Sequence, residues 1–220
     1  MGQSDSHTHN SGGITNSSFE NGNFTGWSTV GNTGIEAADF GSESSQGTYY
    51  ATLSTQFDTV PDSDVESFLG LPYGSLNALG KGNIEEGSAI KTTFNAKAGD
   101  ILTFDWNFMT NELDSTLVGG NEDFAILTLN SLPYNLPDTS SSFETSFTSF
   151  SHETGFQTVS IEIPTTGAYT LGLGVVNVDD PIFDSALAID NIQLGSTYNP
   201  NSIFGQSSYV WSGFDTLGMG

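Results

Sequence analysis

The chain has no cysteine and no arginine, and only three lysines, Lys81, Lys91 and Lys97, stand against 26 acidic residues. Each absence excludes something. Without cysteine there is neither a disulfide framework nor a thiolate metal site. Without a cation cluster nothing displaces counterions from phosphates, so nucleic acid is excluded as a partner. The same deficit excludes docking on anionic membrane surfaces. No apolar run approaches the ~18 residues of a membrane span, so no membrane insertion is expected. Histidine is also scarce, with His7, His9 and His152 only. His7-Thr-His9 has the form of a small chelate but reads as incidental in so short and flexible a run. His152 is isolated, and no Gly-x-Ser-x-Gly turn is present to make a serine hydrolase.

What remains is strongly acidic. The formal net charge is -23 on 220 residues, and a folded domain with this charge repels itself unless something neutralises part of it. Three lysines cannot do so. Salt or a bound divalent metal can, and hard oxygen ligands favour calcium. The carboxylates are dispersed rather than gathered in a tail. Sixteen phenylalanines, within 12% aromatic and 35% hydrophobic residues, supply a core and do not belong in a disordered chain. The length suits one all-β sandwich of ~200–250 residues.

Alternating apolar and polar residues of β-branched and aromatic type predict strands at TYYATLS (48–54), Ala89 to Phe94 and DILTFDWNF (100–108). DFAILTL (123–129), TVSIEI (158–163), YTLGLGVVNV (169–178) and SALAIDNIQL (185–194) read the same way. Ala98-Gly99-Asp100 reads as a turn, and Pro164 to Gly167 as a hairpin turn. One short helix is expected over Asp62 to Leu69, capped by Asp62 or Ser63, with Val65, Phe68 and Leu69 on one face. It lies in an insertion, Gln56 to Gly87. Ser131 to Ser151 reads as a second irregular stretch, laid over the sheets. The whole predicts an all-β fold, a two-sheet antiparallel β-sandwich or jelly roll with one or two short helices in an insertion. Residues 1–13 are expected to be a flexible segment, 14–195 the sandwich, and 196–220 an aromatic extension docked on its own domain or on a neighbour. Met1 to Gly13 lacks the basic and apolar regions of a secretory signal, so either a signal was removed or export uses another route; a cytosolic location is the alternative, which the missing arginine and cysteine disfavour.

ITNSSFENGNFTGWSTVGN (14–32) carries an Asn-x-x-Phe-Glu opening followed by Gly-Trp, and DSALAIDNIQLG (184–195) carries an Ile-Asp-Asn-ϕ-x-Leu closing strand. Together they resemble the first and last strands of bacterial carbohydrate-binding-module-like jelly rolls, the galactose-binding-like superfamily. FDWNFMTNE (104–112) and NEDFAILTL (121–129) are similar to segments of extracellular cyanobacterial and proteobacterial proteins, many bearing cell-surface sorting tails. The resemblance covers Ile14 to Leu194. It implies an extracellular or cell-surface protein with a structural calcium between the chain ends. Glu20 and Asp190 are its implied ligands, Glu43 assists, and backbone carbonyls near Gly41 to Gly47 complete it. Carboxylates far apart in sequence can staple two chain ends through one ion, because calcium accepts six to eight oxygens in flexible geometry.

A second acidic group surrounds three loops: Glu112 with Asn111 and Asp114, Asp123 with Asn121 and Glu122, and Asp184 with Asp179 and Asp180. If the strands are neighbours these loops converge, and the carboxylates repel unless a cation sits among them. A solvated acidic rim is the alternative. No EF-hand run is present. Asp105 and Glu112 can be imagined as a glycosidase pair, but nothing in the sequence selects two acids from many. Sugars stack on exposed aromatic rings. Trp27 and Trp106 read as core, whereas Tyr73 and Tyr134, in the irregular stretches, are the candidate ligand platforms.

Three functions follow. The first is a noncatalytic calcium-binding module for adhesion or glycan recognition. The second is a subunit of an extracellular filament or surface layer, whose partners are neighbouring copies of itself. The third is a polysaccharide-active enzyme, for which no motif selects a catalytic residue.

Overall fold

The structure is a computed structural model that describes residues 13–79, 82–112, 123–136, 143–179, 183–196 and 209–210. Its first half runs β1 (Ser28–Val30), β2 (Asn32–Glu36), β3 (Tyr50–Ser54), β4 (Val60–Pro61), α1 (Asp62–Leu69), β5 (Ile84–Ala96) and β6 (Ile101–Thr110). Its second half runs β7 (Phe124–Leu129), β8 (Leu132–Asn135), β9 (Glu144–Thr145), β10 (His152–Glu153), β11 (Gln157–Glu162), β12 (Gly167–Val178), β13 (Ser185–Gly195) and β14 (Tyr209–Val210).

The strands form an all-β sandwich of two sheets. The first has the order β1-β5-β12-β7-β8, with β4 on the side of β5. The second has the order β14-β11-β6-β13-β3-β2, with β10 on β6 and β9 on β10. Every described ladder is antiparallel except that of β14 with β11. Period-2 alternation builds the interior. Leu102, Phe104, Trp106 and Phe108 of β6 meet Ile90 and Phe94 of β5 and Leu171, Leu173 and Val175 of β12. Phe19 and Trp27 close one flank, with ring centroids 5.2 Å apart. The opposite face of β12, at Val176 and Val178, is also apolar. There α1 packs with Val65 and Leu69 over Ala89, Phe124 and Ile126. A third cluster lies on the outer face of the second sheet, where Phe40, Phe150 and Phe156 cover Tyr50, Met109, Ala186 and Ala188.

Several sequence expectations need correction. Pro164 to Gly167 is not a hairpin turn, because β11 and β12 lie in different sheets. Turn residues select a reversal, whereas the ladder partner is chosen by packing far along the chain, here β6 for β11. Ser131 to Ser151 is not irregular throughout. It holds β9 and the whole of β8, which hairpins onto β7 through Asn130 and Ser131, both at positive φ (51° and 63°). Such a turn normally advertises itself with glycine; here the Asn130 carboxamide steadies it by accepting the Thr170 amide at 2.8 Å. The strand foreseen at Ala89 to Phe94 extends over Ile84–Ala96, which takes in the end of the supposed insertion. The helix has the expected span, but Pro61 is its N-cap and no side chain caps it. Gly70, at φ 75°, is its C-cap, and the turn that follows is fixed by Glu66, which is 1% exposed and accepts the amides of Gly74 and Leu76, each at 2.8 Å.

Candidate functional site

Asp190 stands late in β13 on the outer face of the second sheet, opposite Asp105 of β6. A register shift follows between Asp190 and Gln193, with Asn191 at φ 51°. This bulge lets the 41–49 loop lie over the strand, and Asp190 becomes fully buried. Its Oδ2 accepts the Ser45 hydroxyl at 3.1 Å and the Gln46 amide at 2.8 Å, and its Oδ1 accepts the Asn191 amide at 2.6 Å. Burial pushes the carboxyl up to about 7; those three hydrogen bonds pull it down, and the charge of Asp105 adds to the rise.

Glu20 reaches the same loop from the N-terminal side. Its Oε1 accepts the amides of Thr48 at 2.9 Å and Tyr49 at 2.8 Å. Gly47 lies directly under the carboxylate. It has φ 72°, which strains any other residue, and a Cβ there would stand 2.4 Å from Glu20 Cδ and push the carboxylate aside. The Ile192 amide donating to the Ser17 carbonyl at 3.0 Å ties the two chain ends together beside the loop. Two carboxylates from opposite ends of the sequence therefore grip one short segment, residues 45–49.

The donor set suits calcium in kind, since it consists of two carboxylates beside a glycine-bearing loop and contains only hard oxygen. At present these oxygens hold N–H and O–H donors. Among the described residues no three Asp, Glu or His side chains close on a common point. Glu43 is exposed on the same loop, where its charge adds to those of Glu36, Glu153 and Asp39 in keeping the buried Tyr50 phenol above its ordinary range, burial being the larger cause.

Beside Asp190 runs a polar strip. The Thr158 hydroxyl donates to Asp105 Oδ1 at 2.5 Å, the Asn191 amide nitrogen to Asp105 Oδ2 at 2.9 Å, and the Gln193 amide nitrogen to Asn191 Oδ1 at 2.5 Å. These side chains come from β11, β6 and β13, three adjacent strands, and make one hydrogen-bonded surface. Asp105 is thereby held as an acceptor and is not a glycosidase partner of Glu112. The two lie on opposite parities of one strand line, roughly 20 Å apart at the usual rise per residue, beyond the ~5–9.5 Å of glycosidase pairs.

Glu112, Asp123 and Asp184 come to one end of the sandwich. Glu112 Oε2 accepts the Asp123 amide at 3.0 Å, and the Asn111 amide donates to the Asp184 carbonyl at 3.0 Å. Asp114, Asn121, Glu122 and Asp180 lie outside the described residues, as do His7 and His9. Tyr73 is 88% exposed in the turn after α1. Tyr134, the other candidate platform, lies in β8, partly buried against the core, with its phenol raised by that burial. Sequence reasoning missed the exposed Phe57 and Phe147, because nothing in composition separates a loop phenylalanine that packs from one that does not. A groove of about 450 Å³ opens between the sheets at the opposite end, beside Lys97, Asp100, Gly167 and Leu194, and none of the described residues lining it is aromatic.

No protein-family model and no curated protein matches the chain. Among solved structures it is similar to TmCBM61 in complex with β-1,4-galactotriose, at 14% identity, TM-score 0.44, 82% of this chain and 95% of that one. It is also similar to TmCBM27, a carbohydrate-binding module studied for mannan recognition, at 18% identity, TM-score 0.37, 77% of this chain and 88% of that one. The enzymatically active domain of the bacteriophage CBA120 tailspike protein 4 aligns at 11% identity, TM-score 0.44, with 84% of this chain and 21% of that one. Values this low assign neither ligand nor activity to this chain; the residues must do so.

Proposed function

We propose that this chain is a noncatalytic, extracellular β-sandwich binding module that recognises neutral glycans and is stapled by calcium at Glu20 and Asp190. The observation that carries the reading is the convergence of these two carboxylates on residues 45–49, next to the polar strip of Thr158, Asp105, Asn191 and Gln193. A strip of fixed amide, hydroxyl and carboxylate groups offers the alternating donors and acceptors that sugar hydroxyls need. Calcium under the 41–49 loop would hold one wall of that surface still. Glu20, Asp190 and loop carbonyls would be its ligands, with Glu43 adding charge at long range. The ion would also relieve the buried Asp190 carboxylate, which has no described lysine nearby.

The charge selects the glycan class. With net charge -23 and no arginine, a uronic-acid or sulfated polymer meets repulsion, so neutral glycans are the expected ligands. A glycan array in millimolar calcium tests this. The expected result is binding confined to neutral polysaccharides and weakened in Asp105→Ala. An array without any binder, or with only anionic binders, contradicts it.

A further inference from the structure

The backbone of β11 faces two ways. Just past its end, the Ile163 amide donates to the Asp100 carbonyl at 2.8 Å, and the Ile163 carbonyl accepts the Gly99 amide at 2.9 Å. Both groups of Ile163 therefore point towards the β6 side. Backbone direction alternates along an antiparallel strand. Ile161, Val159 and Gln157 accordingly bond to β6, and Thr158, Ser160 and Glu162 turn their N–H and C=O groups to the open side. β14 meets only the middle of that row, with Tyr209 beside Val159 and Val210 beside Ser160. Its ladder is two residues long and parallel, the weaker pairing per residue.

The other strands at the ends of the two sheets are poorer templates for an added strand. β8 contains Pro133, which has no N–H to give. β1 has three residues. β2 ends at Glu36, whose carboxyl is raised by burial and by the charge of Asp39. β11 has six residues, no proline and a single carboxylate, Glu162. That matters for a chain of net charge -23. Physiological salt screens exposed charges beyond ~8 Å, so the charges at the edge itself decide whether two copies can meet there.

We infer that β11 is a pairing edge for a second copy of this chain, running antiparallel to its counterpart, and that β14 occludes it. One register pairs all three open residues of both copies. Ser160 faces Ser160 on a two-fold axis normal to the sheet, and Thr158 faces Glu162 on either side. Each Glu162 then lies opposite a threonine, at least ~13 Å along the strand from the other. The outer faces of both second sheets join in one surface, whatever those faces bind. A single strand pair is a small and weak interface. Gly195 pairs with Ile101, and Ile101 with Glu162, so the end of β13 lies ~10 Å from β11. Residues 197–208 cover that span with length to spare. A strand so tethered acts at an effective concentration of order millimolar, which keeps the full chain monomeric at micromolar concentrations.

The full chain carrying Tyr209→Pro/Val210→Pro tests the inference by sedimentation and hydrogen exchange. Proline has no N–H and cannot continue a ladder, and β14 pairs with β11 alone, so the sandwich keeps its Tm. At micromolar concentration the variant should be a monomer whose Ser160 amide exchanges faster than in the wild type. At millimolar concentration its mass should double and Ser160 protection should return, while the wild type stays monomeric. Adding Ser160→Glu sets two carboxylates face to face across the axis and should restore the monomer, whereas Ser160→Gln should leave the dimer intact. A proline variant that stays monomeric at millimolar concentration overturns the inference. Growth beyond two copies overturns the two-fold pairing, and a dimer indifferent to Ser160→Glu overturns β11 as the edge.

Discussion

At the residue scale the chain manages its negative charge by pairing carboxylates with backbone amides. Glu20, Glu66, Glu112, Asp123 and Asp190 all accept main-chain N–H groups. Such bonds fix loops without basic side chains. Asp190 shows the limit of the device, since burial outweighs its hydrogen bonds and its carboxyl titrates at about 7. Its folded value is above the ordinary carboxylate value. In chelator its contribution to stability is therefore full below about pH 4 and is lost as pH rises through 7. Calcium binds the deprotonated form, so the calcium-induced rise in Tm should grow from pH 5 to pH 8. A rise that is flat with pH contradicts Asp190 as a ligand. Gly47→Ala should cost at least ~1 kcal/mol from its left-handed backbone alone, with further loss from the clash on Glu20, read by urea unfolding. Glu20 and Asp190 could be singled out from the sequence because both lie in the opening and closing motifs. Glu66 could not, because a buried polar residue leaves no periodic trace.

At the element scale, alternation exposed most strands, and the helix span was legible from its flanking acids and apolar face. Sheet membership was not. β11 and β12 follow each other through a tight turn yet join different sheets, since apolar residues on both strands satisfy either arrangement until β6 and β5 are placed. β10 is only His152–Glu153 and β9 only Glu144–Thr145, too short for any pattern. The α1 turn rests on one carboxylate. Glu66→Ala should leave the Gly74 and Leu76 amides unpaired and cost ~1–3 kcal/mol for each that stays buried. Hydrogen exchange should then accelerate at residues 74 and 76, with β6 and β13 unaffected. Unchanged protection at both amides would show that Glu66 does not hold the turn.

At the scale of the whole molecule, two sheets enclose one apolar interior, and the polar features sort onto two places. The outer face of the second sheet carries the staple and the hydroxyl-and-amide strip. The end of the sandwich beyond β6 carries Glu112, Asp123 and Asp184. The sandwich itself was legible from strand density and scarce helix; the faces became legible only once register was known. β14 pairs Tyr209–Val210 with Val159 and Ser160 of β11, which covers that part of an edge that a neighbouring copy would otherwise use. The full chain should accordingly run as a monomer in calcium buffer by light scattering, and concentration-dependent growth would favour the filament reading instead. The central claim is that calcium holds this acidic sandwich together. Thermal unfolding of the full chain at pH 8, in millimolar calcium against chelator, tests it most directly. The account predicts a Tm several degrees higher with calcium, ~2–4 °C per kcal/mol for a domain of this size, and a smaller rise in Glu20→Gln. The same Tm in calcium and in chelator would contradict it.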